Sequence, residues 1–180
     1  QYQNSLLDQR FPYTLTTTTG TTTGLIVNNS SLPIATGPIT VQVGYTFRFL
    51  NQTGQGSLIA AFNSAQSDKN PPLISELKVL DSNGVRSNTL EQSGSVAVRV
   101  QDDGGAATVA LAVNYQDGQG WRTLNPTLAG GFYSAALPAY SGATTTPVAL
   151  KIVIVDQSGN QLTNQINPAF TIKAAPAGLP

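Results

Sequence analysis

From Ile39 to Phe49 every second residue is large and apolar: Ile39, Val41, Val43, Tyr45, Phe47 and Phe49 alternate with Thr40, Gln42, Gly44, Thr46 and Arg48. Successive side chains of an extended strand point to opposite faces, so this run separates an apolar face from a polar one only as β structure. The same period returns at Val96, Val98 and Val100, and again at Val109, Leu111, Val113 and Tyr115. No stretch repeats convincingly every 3.6 residues, and Gly, Pro, Asn and Asp punctuate the alternating runs. The chain is therefore expected to be all-β and nearly free of helix.

Turn signals divide it further. Residues 1–24 form an extended, Thr-rich head in which Phe11, Tyr13 and Leu15 share one face, followed by the run Thr16 to Gly24, which has nothing apolar to bury and reads as a linker or an edge segment. Residues 25–72 are an N-terminal β segment of about four strands, including Leu25-Ile26-Val27 and Ser57 to Phe62, and Asn70-Pro71-Pro72 marks its boundary because proline cannot donate to a ladder. Four strands are few for a closed sandwich, so this segment either packs on the rest of the chain, forms a second small β domain, or borrows a strand.

Residues 73–175 read as seven short strands: Ile74 to Leu80, Ser95 to Val100, Thr108 to Tyr115, Trp121 to Leu124, Phe132 to Leu137, Val148 to Val155 and a last one near Ala169 to Lys173. The turns between them include Asp81-Ser82-Asn83-Gly84, Asp102-Asp103-Gly104-Gly105, Asp117-Gly118-Gln119-Gly120 and Asp156 to Asn160. Short strands at this spacing are the pattern of a β-sandwich. Residues 176–180 form a Pro- and Ala-containing tail.

The succession Val109 to Tyr115, Asp117-Gly118, Trp121, Gly131 to Pro138, Ala149 to Asp156 and Ser158-Gly159-Asn160 resembles bacterial and archaeal immunoglobulin-like or fibronectin-III-like modules of secreted and cell-surface proteins. The resemblance spans roughly residues 73–175 and implies an immunoglobulin-like β-sandwich. It says little about function, because such modules serve adhesive, scaffolding and linker roles alike.

Composition narrows the chemistry. The chain has no His and no Cys, which removes Ser-His-Asp and Cys-His catalysis, disulfides and zinc–thiolate sites. Charged residues make up 10% and cancel to a net charge of zero, against about 25% charged in an ordinary soluble domain, so no basic surface is expected to hold nucleic acid. No apolar run reaches the roughly 18 residues of a membrane span. The surface is wetted by amides and hydroxyls instead: 27 Asn and Gln, 21 Thr and 14 Ser. That composition points outside the cell, and a chain starting at Gln1 and lacking Met fits a mature secreted product or an excised fragment. No enzyme activity is expected.

The candidate sites follow. Phe11, Tyr13 and Leu15 would act as a donor strand completing the sheet of a second copy, giving a head-to-tail homopolymer. Asn51, Asn28 and Asn29 head N-x-Ser/Thr sequons and are acceptors for an N-linked glycan, Asn51 being the most turn-like. Calcium is the one ion the sequence suggests, with Asp102 and Asp103 the first suspects and Asp117, Asp156 and Asn160 on neighbouring turns; the competing explanation is ordinary Asx turns. Trp121 could stack on a sugar ring, and Lys151, mid-strand among apolar residues, either forms an isopeptide bond or faces outward, the second being preferred. Two functions are expected from these features: a structural subunit of an extracellular filament or surface layer, or a non-catalytic accessory or carbohydrate-binding module of a larger secreted protein.

Overall fold

A computed structural model describes residues 11–18, 20–26 and 36–178. Among the described residues there is no helix. The strands are β1 (Phe11–Thr17), β2 (Gly20–Ile26), β3 (Pro38–Phe49), β4 (Gln52–Asn63), β5 (Leu73–Leu80), β6 (Thr89–Leu90), β7 (Ser95–Gln101), β8 (Ala106–Asn114), β9 (Arg122–Thr123), β10 (Thr127–Ala129), β11 (Phe132–Ala136), β12 (Thr146–Asp156) and β13 (Gln161–Ile172).

They form two sheets that do not close into a barrel, an all-β sandwich. The smaller sheet has the order β10-β11-β7-β5. The larger runs β2-β1-β3-β4-β13-β12-β8-β9, with β6 added parallel to the end of β13. Between the sheets lies one apolar core, in which Val79, Val96 and Val98 of the smaller sheet meet Leu111, Leu150, Ile152, Ile154, Ile166 and Phe170 of the larger. Each such side chain, fully withdrawn from water, contributes roughly 1.5–3 kcal/mol. Strand β12 is central in the larger sheet, which is why its residues Val148, Ala149, Leu150, Ile152 and Ile154 are all buried.

The N-terminal strands are not stacked on the sandwich. They extend its larger sheet sideways, because Gln55–Ala61 of β4 pairs antiparallel with Gln161–Asn167 of β13. The stretch from residue 64 to residue 72 does connect β4 to β5, as its prolines suggest, yet backbone pairing passes across it. Core-facing rows run through three strands: Val41, Ala60 and Leu162; Val43, Leu58 and Asn164; Tyr45, Gly56 and Ile166. Tyr45, Phe47, Phe49, Leu58 and Ala60 pack against the main core, while Leu15, Ile39 and Val41 form a smaller cluster with Val43 and Phe62 farther out.

Two strands are longer than the alternation indicates, for one physical reason. β4 begins at Gln52 rather than Ser57, and β13 at Gln161 rather than near Ala169. In β4 the core-facing positions before Leu58 are Gly54 and Gly56, and in β13 one of them is Asn164. A Cβ at Gly56 would fall inside the Tyr45 ring, and one at Gly54 would collide with the Pro168 carbonyl. The missing side chains are thus spaces that a cross-strand aromatic ring and the β13 backbone at Pro168 occupy. Asn164 is fully buried and accepts a hydrogen bond from the Tyr45 hydroxyl (2.6 Å), which offsets the cost of placing an amide there.

The Thr-rich run settles as an edge: Gly20–Ile26 is the outermost strand of the larger sheet. Leu25 and Ile26 close β2, and Val27 lies outside the described residues. Over residues 73–175 nine strand segments replace the expected seven, two of them only two residues long.

Candidate functional site

Three aspartates from three separate connections meet at one end of the sandwich. Asp68 lies between β4 and β5, Asp102 opens the β7–β8 turn and Asp156 ends β12. One carboxylate oxygen of each lies within 4.8 Å of the other two. Two unit charges at that separation repel by about 3 kcal/mol at an effective dielectric near 20. Among the described residues no lysine or arginine makes an ion pair with any of the three; the ion pairs there join Glu76 to Lys78 and Arg86, Asp117 to Arg122, and Glu91 to Lys173.

Turn chemistry places each carboxylate. Asp156, 2% exposed, accepts at Oδ1 from the backbone N–H of Ser158 (2.8 Å) and of Asn160 (2.9 Å), the Asx pattern its sequence announces, and Gly159 takes the left-handed φ of 88° that the tight turn needs. Asp102 Oδ2 accepts from Gly104 N–H (3.0 Å) and Asp68 Oδ1 from Asn70 N–H (3.2 Å). The other oxygen of Asp102, Oδ1, is buried and has no hydrogen-bond donor.

Asn160 ties the connections together. It is 1% exposed, and its amide nitrogen donates to Asp156 Oδ2 (2.8 Å) and to the carbonyls of Asp68 (3.3 Å) and Asn70 (3.2 Å). Its oxygen accepts from Asn63 N–H (3.3 Å) and Gln66 Nε2 (3.5 Å). The connection from residue 63 to residue 70 is thereby fastened to the β12–β13 turn.

The remaining candidates are dispersed. Asp103 is exposed, and its Oδ2 accepts from Asn70 Nδ2 (3.2 Å) at the margin of the cluster. Asp117 pairs with Arg122 on a different turn. Asn51 is exposed at the tip of the β3–β4 hairpin, where Leu50 and Asn51 have φ of 45° and 69°, a two-residue turn that favours Asn by its backbone alone. Asn28 and Asn29 lie outside the described residues. Leu15 is buried on β1; Phe11 and Tyr13 take their places there by backbone pairing to Ile26 and to Gly24 and Val43. Lys151 faces away from the core between buried Leu150 and Ile152, with its ammonium 4.5 Å from the centre of the half-buried Trp121 ring. One face of that indole is therefore covered by a cation rather than open for a sugar.

Asp102 was legible in the sequence as part of a carboxylate-rich turn. Asp68 was not, because it sits in a polar connection whose prolines read as a boundary. Its only signal was an acid two residues before Asn70 in a segment too polar to be a strand.

The fold defines an all-β sandwich whose larger sheet carries four additional N-terminal strands. No protein-family model matches the chain, and no curated protein matches its sequence.

Proposed function

We propose that this chain is a structural subunit of an extracellular filament or surface layer, built on an immunoglobulin-like sandwich and joined to its neighbours by strand complementation through β1. The strand orders support the immunoglobulin-like reading. Lettering β5, β7, β8, β10, β11, β12 and β13 from A to G gives sheets D-E-B-A and G-F-C, the arrangement of that fold.

The observation that carries the assembly reading is the seat of β1. Its residues Tyr13–Thr16 pair with Thr40–Val43 of β3, and Leu15 is buried beside Ile39 and Val41. The β3 edge is thus a strand-accepting groove whose guest is the most N-terminal described strand. Exchange of the β1–β2 hairpin onto the β3 of a neighbour would keep every pair and every register, and repeated exchange that does not close makes a fibre. Electron microscopy of the full chain and of a variant lacking residues 1–24 tests this. Linear polymers are expected from the first and monodisperse particles from the second; polymers of equal length from both would overturn the mechanism.

A further inference from the structure

We propose that Asp68, Asp102 and Asp156 form a calcium site that fastens the β4–β5 connection to the end of the sandwich. Two independent observations point there. Three carboxylates converge without a cation from the described residues, and one of their oxygens, Asp102 Oδ1, is buried with no donor. A buried anionic oxygen without a partner is a costly arrangement that a bound cation resolves.

The donor set selects the ion. It is entirely oxygen, and the chain has neither His nor Cys to suit zinc, copper or nickel. Two ligands of one ion can lie no farther apart than twice the metal–oxygen bond, roughly 4.6–5.2 Å for calcium and about 4.0–4.2 Å for magnesium. The three carboxylate oxygens, all within 4.8 Å of one another, are inside the reach of one calcium ion. Calcium also tolerates the irregular geometry that ligands from three loops provide, with water completing its six to eight contacts. Hydrogen bonds already made to Asp156 and Asp68 leave lone pairs on each carboxylate for a metal.

Because Asp68 lies in the connection and the other two ligands lie in the sandwich, binding is coupled to the order of the residues between Asn63 and Pro72. Lys69 is exposed in that stretch and offers a trypsin site beside the ligand.

The test is isothermal calorimetry with calcium chloride on the metal-stripped full chain, alongside thermal unfolding and trypsin cleavage after Lys69, for wild type and Asp102→Asn. Wild type is expected to bind one calcium and to melt on the order of 5 °C higher at a hundredfold excess over Kd. Its cleavage after Lys69 should slow at least several-fold, and magnesium should bind at least tenfold more weakly. Asp102→Asn removes one repelling charge and keeps the turn-forming oxygen. Without metal it should melt at or above wild type, and added calcium should leave its melting and cleavage unchanged. Absence of calcium binding by wild type, or an equal response in Asp102→Asn, would overturn the site.

Discussion

Tyr115 is the residue whose chemistry the fold alters most clearly. It is fully buried, its hydroxyl donates to the Pro138 carbonyl (2.6 Å) and its ring meets Tyr140 edge-on at 5.3 Å between centroids. Burial pushes its phenol from an ordinary 10.0 up to about 12, the nearby Arg122 guanidinium partly opposing the rise and Asp117 adding to it. Below pH 10 the folded and unfolded chains both hold this proton. Between pH 10 and 12 the unfolded chain releases it while the folded chain keeps it, so stability falls as pH rises, by on the order of 2 kcal/mol across that interval. Tyr115→Phe should cost about 1 kcal/mol at pH 8 through the lost hydrogen bond and should lose less stability than wild type between pH 8 and pH 11.5. Urea midpoints at the two pH values check this, and parallel losses in both proteins would refute it. At this same scale the sequence marks the turn aspartates but not their meeting: Asp102 and Asp156 each advertise a local Asx turn, whereas their approach to Asp68 depends on sheet pairing that no local pattern encodes.

Strands were legible where their core-facing positions carry large side chains and illegible where they do not. β3, β7, β8 and β12 lie within about two residues of the runs read from the sequence, because Ile, Val, Leu and aromatic side chains fill the core-facing row. β4 and β13 were underestimated because Gly54, Gly56 and Asn164 occupy that row, and their fitness depends on Tyr45 and Pro168, residues distant in sequence. The Tyr45–Gly56 pair can be tested directly. Gly56→Ala places a methyl where the ring lies, so the ring must move and its hydroxyl must leave Asn164, itself fully buried. The expected cost is about 2–3 kcal/mol, combining overpacking with the loss of the buried Tyr45–Asn164 hydrogen bond. In Tyr45→Ala the same methyl meets open space, so the double variant should be more stable than the sum of the two losses predicts. Denaturant midpoints of the four proteins measure the coupling, and simple additivity would show that ring and glycine do not share one space.

The molecule as a whole is asymmetric in its cohesion. Residues 73–172 supply every buried member of the main core, and the N-terminal strands add half-buried side chains at its margin. Those strands hold few buried apolar side chains of their own among the described residues, Leu15, Ile39 and Val41. The edge-to-edge join between β4 and β13 therefore works in one direction: the sandwich templates the N-terminal sheet, and the sheet covers an edge of the sandwich. Cutting the chain at residue 63 separates the two effects. Residues 64–180 should fold cooperatively with a lowered unfolding midpoint, since Asn164 loses its Tyr45 donor and the core loses the cover of Phe47 and Leu58. The freed edge from Gln161 to Asn167 presents a row of unpaired backbone groups without a single charged side chain or proline, so this fragment should self-associate as its concentration rises. Residues 1–63 alone should give a disordered circular dichroism spectrum, because a few strands with so small a core cannot offset their ordering entropy. Light scattering behind size exclusion, with circular dichroism on both fragments, decides the matter. A monomeric 64–180 at high micromolar concentration, or a cooperatively folded 1–63, would mean that the shared sheet is an incidental contact between two independent units rather than the feature that holds the N-terminal strands in place.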